Sequence, residues 1–124
     1  MADRQLTDDQ VAEIEASIKA FTGQEFAVTT YWDIKECMAI SNRIYAALVN
    51  VAGWNYIKPE AGRWLMAGIS GIQVYVNPKA EEKTITAAAV LVRALQAANL
   101  DAQLRDENDP TPNNRIEINV GVKP

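Results

Sequence analysis

The sequence predicts an α+β fold, a two-layer sandwich in which helices cover one face of a sheet. Three observations predict it. A strand-like run, a helix-like run and a second strand-like run follow one another twice along the chain, and an amphipathic helical pattern precedes the first of these units. The final run, Arg115-Ile116-Glu117-Ile118-Asn119-Val120-Gly121-Val122, sets apolar residues on one face and polar residues on the other, the pattern of a strand with a single core-facing side. At 124 residues the chain fits a single α+β domain spanning 1–124, long enough to bury roughly two-thirds of its unfolded surface without staples or metals.

The first helix opens at Thr7, with Gln10 three residues on as a capping box and Asp8 and Asp9 at the positive end of the dipole. Val11, Ile14, Ile18 and Phe21 form its apolar stripe, and Gly23 supplies the left-handed residue that stops it. Phe26, Val28, Thr30 and Trp32 then alternate with Ala27, Thr29 and Tyr31 as a strand. Asp33 to Glu36 reads as a second capping box, opening a helix whose Ile34, Cys37, Ile44, Leu48 and Val51 share a face until Gly53.

Trp54 to Lys58 reads as a short strand ended by Pro59, and the stretch from Pro59 to Ser70 as a long loop or a brief hairpin strand. The next strand covers Ile72 to Val76, with Asn77-Pro78 as cap and first turn of a helix that buries Ile85, Ala88, Val92 and Leu95. Asn99 takes the left-handed C-cap with Leu100 as its apolar follower, and Ala102 and Leu104 suggest a short strand. Asp109 to Asn114 is a turn that leads into the last strand.

This order of elements is a βαββαβ-type, ferredoxin-like sandwich with an added N-terminal helix and room for a fifth, C-terminal strand. The alternative is a small three-layer flavodoxin-like domain. That would demand apolar residues on both faces of the central strands, which Gln73, Asn77, Glu117 and Asn119 do not supply.

The residue order also carries a resemblance. The start Leu6-Thr7-x-x-Gln10, the Ala52-Gly53-Trp54 helix end, the strand Gly71-Ile72-x-Val74-x-Val76, the Ala-rich helix and the ending Ile116-x-Ile118-x-Val120-Gly121-x-Lys123-Pro124 are conspicuous together. Over almost the whole chain this pattern resembles the C-terminal soluble domain of uncharacterised bacterial membrane-associated proteins. The resemblance implies one or more transmembrane helices ahead of the domain in the full-length protein, or else a soluble member. It carries no activity, catalytic residue or cofactor with it.

Composition narrows the chemistry. The net charge of −4 and scattered Lys and Arg argue against a nucleic-acid surface. With no histidine and Cys37 alone, the usual zinc, haem and thiol-protease constellations lack a ligand or a base, and no intramolecular disulfide forms. The expectation is therefore no catalytic residue, no cofactor and no metal.

Most candidate motifs have a structural reading. Asp33 with Glu36 is a cap rather than an acid-base pair, and Asp106, Glu107, Asn108 and Asp109 lack the order of a calcium loop. Gly68-Ile69-Ser70-Gly71 is followed by neither Lys-Ser nor Lys-Thr, so it is not a phosphate loop, and Cys37 lies on an apolar stripe. The aromatics differ. Trp54, Tyr56 and Trp64 flank a loop holding Lys58, Glu60 and Arg63, and amphipathic anchors beside a guanidinium are enriched in binding surfaces. The candidate binding surface is thus Trp54, Tyr56, Lys58, Arg63 and Trp64, with core packing of Trp54 and Trp64 as the competing reading.

Together these observations predict a non-catalytic binding, regulatory or sensory module, tethered on the cytoplasmic side of a membrane through a segment outside the given chain. Its partner is a protein or a second copy, met through an exposed sheet face carrying Gln73, Tyr75, Arg115, Glu117 and Asn119. Two alternatives stand beside it. One is a small-molecule binder or small enzyme with a pocket near residues 59–70, and the other is a structural self-assembly subunit.

Overall fold

A computed structural model describes residues 4–31, 33–57, 70–105 and 114–124. Helix α1 (Asp8–Ile18) ends in a 3-10 turn at Lys19–Phe21 and leads to β1 (Glu25–Thr30). Helix α2 (Lys35–Ala46) widens into a π turn at Ala47–Val51 before β2 (Asn55–Tyr56). Strand β3 (Ile72–Tyr75), helix α3 (Glu82–Ala97), β4 (Ala102–Arg105) and β5 (Arg115–Val120) complete the order. The chain is therefore α+β, with three helices and a five-stranded mixed sheet.

Local signals set most of the boundaries. Thr7 Oγ1 accepts the Gln10 amide at 3.2 Å, and the Gln10 side chain accepts the Thr7 amide at 2.9 Å, so the predicted capping box forms. Asn99 (φ 64°) ends α3, and the Leu100 amide reaches back to the Leu95 carbonyl at 3.1 Å, burying Leu100 beneath the helix end. Gly23 (φ 92°) turns the chain out of the first helical region as predicted.

Two helix starts differ from the sequence reading. Helix α3 begins at Glu82 rather than at Pro78, because the Asn77 side chain accepts the Lys79 amide at 2.8 Å and closes a separate turn first. The Asp33–Glu36 capping box is absent. Helix α2 starts after Ile34 with no side-chain cap, and Glu36 faces Arg4 instead. The Arg4 Nε and Nη2 donate to the two Glu36 oxygens at 2.7 Å each, and the Arg4 amide donates at 3.0 Å. Arg4 Nη2 also reaches the Gly121 carbonyl at 2.6 Å, so one fork fastens the N-terminal segment to both α2 and the end of β5.

Strand order is β2-β1-β5-β3-β4. β1 is parallel to β2 and β5, whereas β3 is antiparallel to β5 and parallel to β4. Of the two predicted strand-helix-strand units, β1-α2-β2 forms as read, whereas the second closes on β4 and not on the final strand; β3-α3-β4 points the opposite way, and β5 is inserted between the two units. A split βαβ arrangement of ferredoxin-like type places a strand between the two strands of a unit. Here each unit keeps its strands as direct neighbours.

The core follows from this register. Phe26 pairs with Ile116, Val28 with Ile118 and Thr30 with Val120, while across β5 Ile118 pairs with Val74 and Val120 with Ile72, so these alternating residues of three strands share one face. They meet Ile40, Ile44 and Leu48 of the second helical region and Ala88, Leu91 and Leu95 of α3 in a single buried cluster. The alanines of α3 let that helix lie close to its neighbours. α1 packs on α3 and on the π turn, and its Gln10 side chain donates to the Ala98 carbonyl at 3.2 Å.

Gly71 leads into β3 with φ 69°, and a Cβ there would lie 2.9 Å from the Asp101 carbonyl oxygen. Its own amide and carbonyl bond Val122 and Gly121 at 2.8 Å, bringing the start of β3 against the end of β5. Glycine satisfies both demands.

The Arg4–Glu36 pair also sets a pH dependence. The hydrogen bond from Arg4 holds the Glu36 carboxyl below the usual glutamate range despite its burial, while Glu36 raises Arg4 against the opposing effect of desolvation. A carboxylate with a depressed folded pKa stabilises above its unfolded pKa, and that contribution is lost as pH falls through the folded value. Glu36→Gln is expected to lower unfolding free energy by about 1.5–3 kcal/mol at neutral pH. Urea titrations across pH should show the gap between variant and wild type closing below about pH 4.

Candidate functional site

An aromatic ledge lies at the β2 edge of the sheet. Tyr56 is the direct neighbour of Phe26 on β1, with ring centroids 5.5 Å apart, and Tyr45 of α2 packs edge-on against Tyr56 at 5.0 Å. Phe26 is fully buried beneath them, whereas Tyr45 and Tyr56 are 39% and 37% exposed. Burial and the neighbouring Tyr45 push the Tyr56 hydroxyl pKa up, so the Tyr56 phenol remains a neutral donor at physiological pH.

Among the described residues, the outer backbone edge beside this ledge is unpaired. The Asn55 and Ile57 amides donate inward to the carbonyls of Gln24, just before β1, and of Phe26 on β1 at 2.9 and 2.7 Å. Alternation then turns the Tyr56 amide and carbonyl outward, and among the described residues no strand pairs with that edge.

A second feature is a polar cleft of about 710 Å³ at the end of the sheet where β1 begins. Its walls are the turn at residues 20–25, the first turn of α3 and Asn114. Asn114 holds the walls together: its Oδ1 accepts the Glu81 amide at 2.9 Å, and its carbonyl accepts from the Gln24 side chain at 2.8 Å. Glu25, Glu81 and Lys83 supply the charges, with Lys83 Nζ 3.6 Å from Glu81.

Only part of the predicted surface lies in these features. Tyr56 is on the ledge as expected. Trp54 is a correction: it is 2% exposed, its Nε1 donates to the Ile18 carbonyl at 3.3 Å and its ring packs edge-on against Phe26 at 6.1 Å. The widened π turn directs it inward, since the Trp54 amide bonds the Leu48 carbonyl at 2.9 Å. Trp54 is thus the floor of the ledge and not a contact residue. Lys58, Arg63 and Trp64 lie outside the described residues, as do the pocket near 59–70 and the acidic run at 106–109.

The sheet face away from the helices also differs from expectation. Gln73, Tyr75, Arg115, Glu117 and Asn119 do share that face by register, but four are half-buried and Glu117 is 7% exposed. Glu117 occupies the central strand between Ala27 and Tyr75, and the Arg105 guanidinium is drawn to Gln73 Oε1 at 2.7 Å. The described part of this face is thus polar and partly accessible, with Glu117 buried at its centre.

Cys37 is buried, and its thiol donates to the Gly121 carbonyl at 3.3 Å. Burial pushes its pKa up, so it stays a thiol. Sequence reasoning missed Tyr45, whose place opposite Tyr56 depends on how α2 crosses β1. It also missed the cleft, which brings together residues 20–25, Glu81, Lys83, Thr84 and Asn114.

Comparison of the chain with protein-family models, with curated proteins and with solved structures finds no match.

The two aromatic roles separate by measurement. Trp54→Ala is expected to cost about 3–5 kcal/mol of unfolding free energy. Tyr45→Ser, at a position open to solvent, is expected to cost about 1 kcal/mol. Equal losses in denaturant titrations would show that the ledge is part of the core.

Proposed function

We propose that this chain is a non-catalytic recognition module, regulatory or sensory in role, which engages a protein partner through the Tyr45–Tyr56 ledge and the open edge of β2. The observation that carries this reading is the pair of half-exposed tyrosines seated on buried Phe26 beside outward-facing backbone groups. Tyrosines fixed in this way contribute large contact area at low conformational cost. An adjacent strand edge adds main-chain hydrogen bonds to any extended segment laid along it.

The cellular setting follows the same reading. We place the module on the cytoplasmic side of a membrane, tethered in the full-length protein by a segment outside this chain. The support is the resemblance from Leu6 to Pro124; among the described residues no helix is long and apolar enough to cross a membrane. For the architecture, we read the two-layer sandwich as a variant of the ferredoxin-like plan, with unsplit strand-helix-strand units and β5 filling the centre.

A photo-reactive phenylalanine analogue at Tyr56, and separately at exposed Glu13 on α1, tests the ledge in cells expressing the native full-length protein. A discrete adduct from position 56 and none from position 13 is expected. An adduct with the mass of two chains identifies the partner as a second copy, the self-assembly alternative. No adduct at 56, or the same adducts from both positions, contradicts the proposal.

A further inference from the structure

The polar cleft carries an inference independent of the aromatic ledge. Helix α3 starts without a side-chain cap: the Thr84 and Ile85 amides bond the Glu81 carbonyl at 3.0 and 3.1 Å, while the Glu82 and Lys83 amides have no partner among the described residues. Such amides, at the positive end of a sixteen-residue helix, favour a carboxylate or another anion. A second observation points the same way. Thr84 lines the cleft, is 0% exposed, and its Oγ1 has no hydrogen-bond partner among the described residues. An unsatisfied buried hydroxyl costs free energy that a bound acceptor would recover.

The charges on the walls restrict what that acceptor belongs to. Glu25 and Glu81 face the same space with, among the described residues, only Lys83 to offset them, so a simple anion meets two carboxylates. A simple cation leaves the helix amides and the Thr84 hydroxyl unused. A molecule bearing both signs on adjacent atoms answers both.

We propose that this cleft binds a free α-amino acid, with its carboxylate on the Lys83 amide and Thr84 Oγ1 and its ammonium toward Glu25 and Glu81. The volume, about 710 Å³, falls within the usual range for small-ligand sites and leaves space for a side chain.

The test uses the intact chain and the twenty free amino acids, read by amide chemical-shift changes. At least one should bind with millimolar or tighter affinity and shift the amides of residues 22–25 and 82–84. The matching carboxylic acid without the amine, and the amine without the carboxylate, should each bind at least about tenfold more weakly, since each loses a charge-assisted contact of about 1.4 kcal/mol or more. Thr84→Val should weaken binding about tenfold and, by removing the unsatisfied hydroxyl, leave the melting temperature of the ligand-free protein unchanged or raised. Failure of all twenty to bind, equal binding of the amine-free acid, or a marked fall in melting temperature for Thr84→Val would overturn the proposal. None of these outcomes bears on the Tyr56 adduct, so the two proposals fail separately.

Discussion

Insertion of β5 between two otherwise separate strand-helix-strand units is the constraint on which the rest of the structure depends. Neither β1 nor β2 pairs with β3 or β4, so the six-residue parallel register with β1 and the four-residue antiparallel register with β3 alone make one sheet of two halves. Pairing of this kind links residues ninety positions apart, as in Phe26 with Ile116, and its chain-closure entropy is repaid only by the core formed at the same time. The chain reinforces that strand with side chains. Thr30 Oγ1 donates to the Val120 carbonyl at 2.9 Å, and Arg4 and Cys37 both donate to the Gly121 carbonyl. Residues from the N-terminal segment, β1 and α2 therefore converge on the end of β5.

The same constraint places both candidate sites. With β5 holding the centre, β1 stands second from one edge, leaving the two-residue β2 as a short outer strand with Tyr56 beside Phe26. At the end of the sheet where β1 and β5 begin, β3 ends and α3 approaches. Asn114, the residue before β5, is then close enough to bond both Glu81 and Gln24. The cleft is a consequence of opposed strand directions meeting around β5. The ledge is a consequence of how little strand lies beyond β1.

Signals that act within a few residues were legible in the sequence. The Thr7–Gln10 capping box, the Gly23 stop, the Asn99 cap and the alternation of β5 all describe neighbours in the chain, and each stands in the structure. The Asp33–Glu36 pattern has the same local form but did not make a cap, because Arg4, thirty-two positions away, supplies a stronger partner for Glu36. Sequence spacing has no means of showing that competition. The alternation in Glu117 and its neighbours correctly assigned a sheet face, yet could not show that a central strand would leave Glu117 buried.

Aromatic residue type raised Trp54 and Tyr56 together, and only the direction of each backbone separates them: one follows a π turn into the core, the other sits on an edge strand. Native-state hydrogen exchange tests the central role of β5 most directly. Slowest-exchanging amides of β1, β3 and β5 should open together, with one free energy equal to that of global unfolding. Amides of β3, α3 and β4 opening at a clearly lower free energy, while β1 and α2 stay protected, would show two independently stable halves and contradict the account.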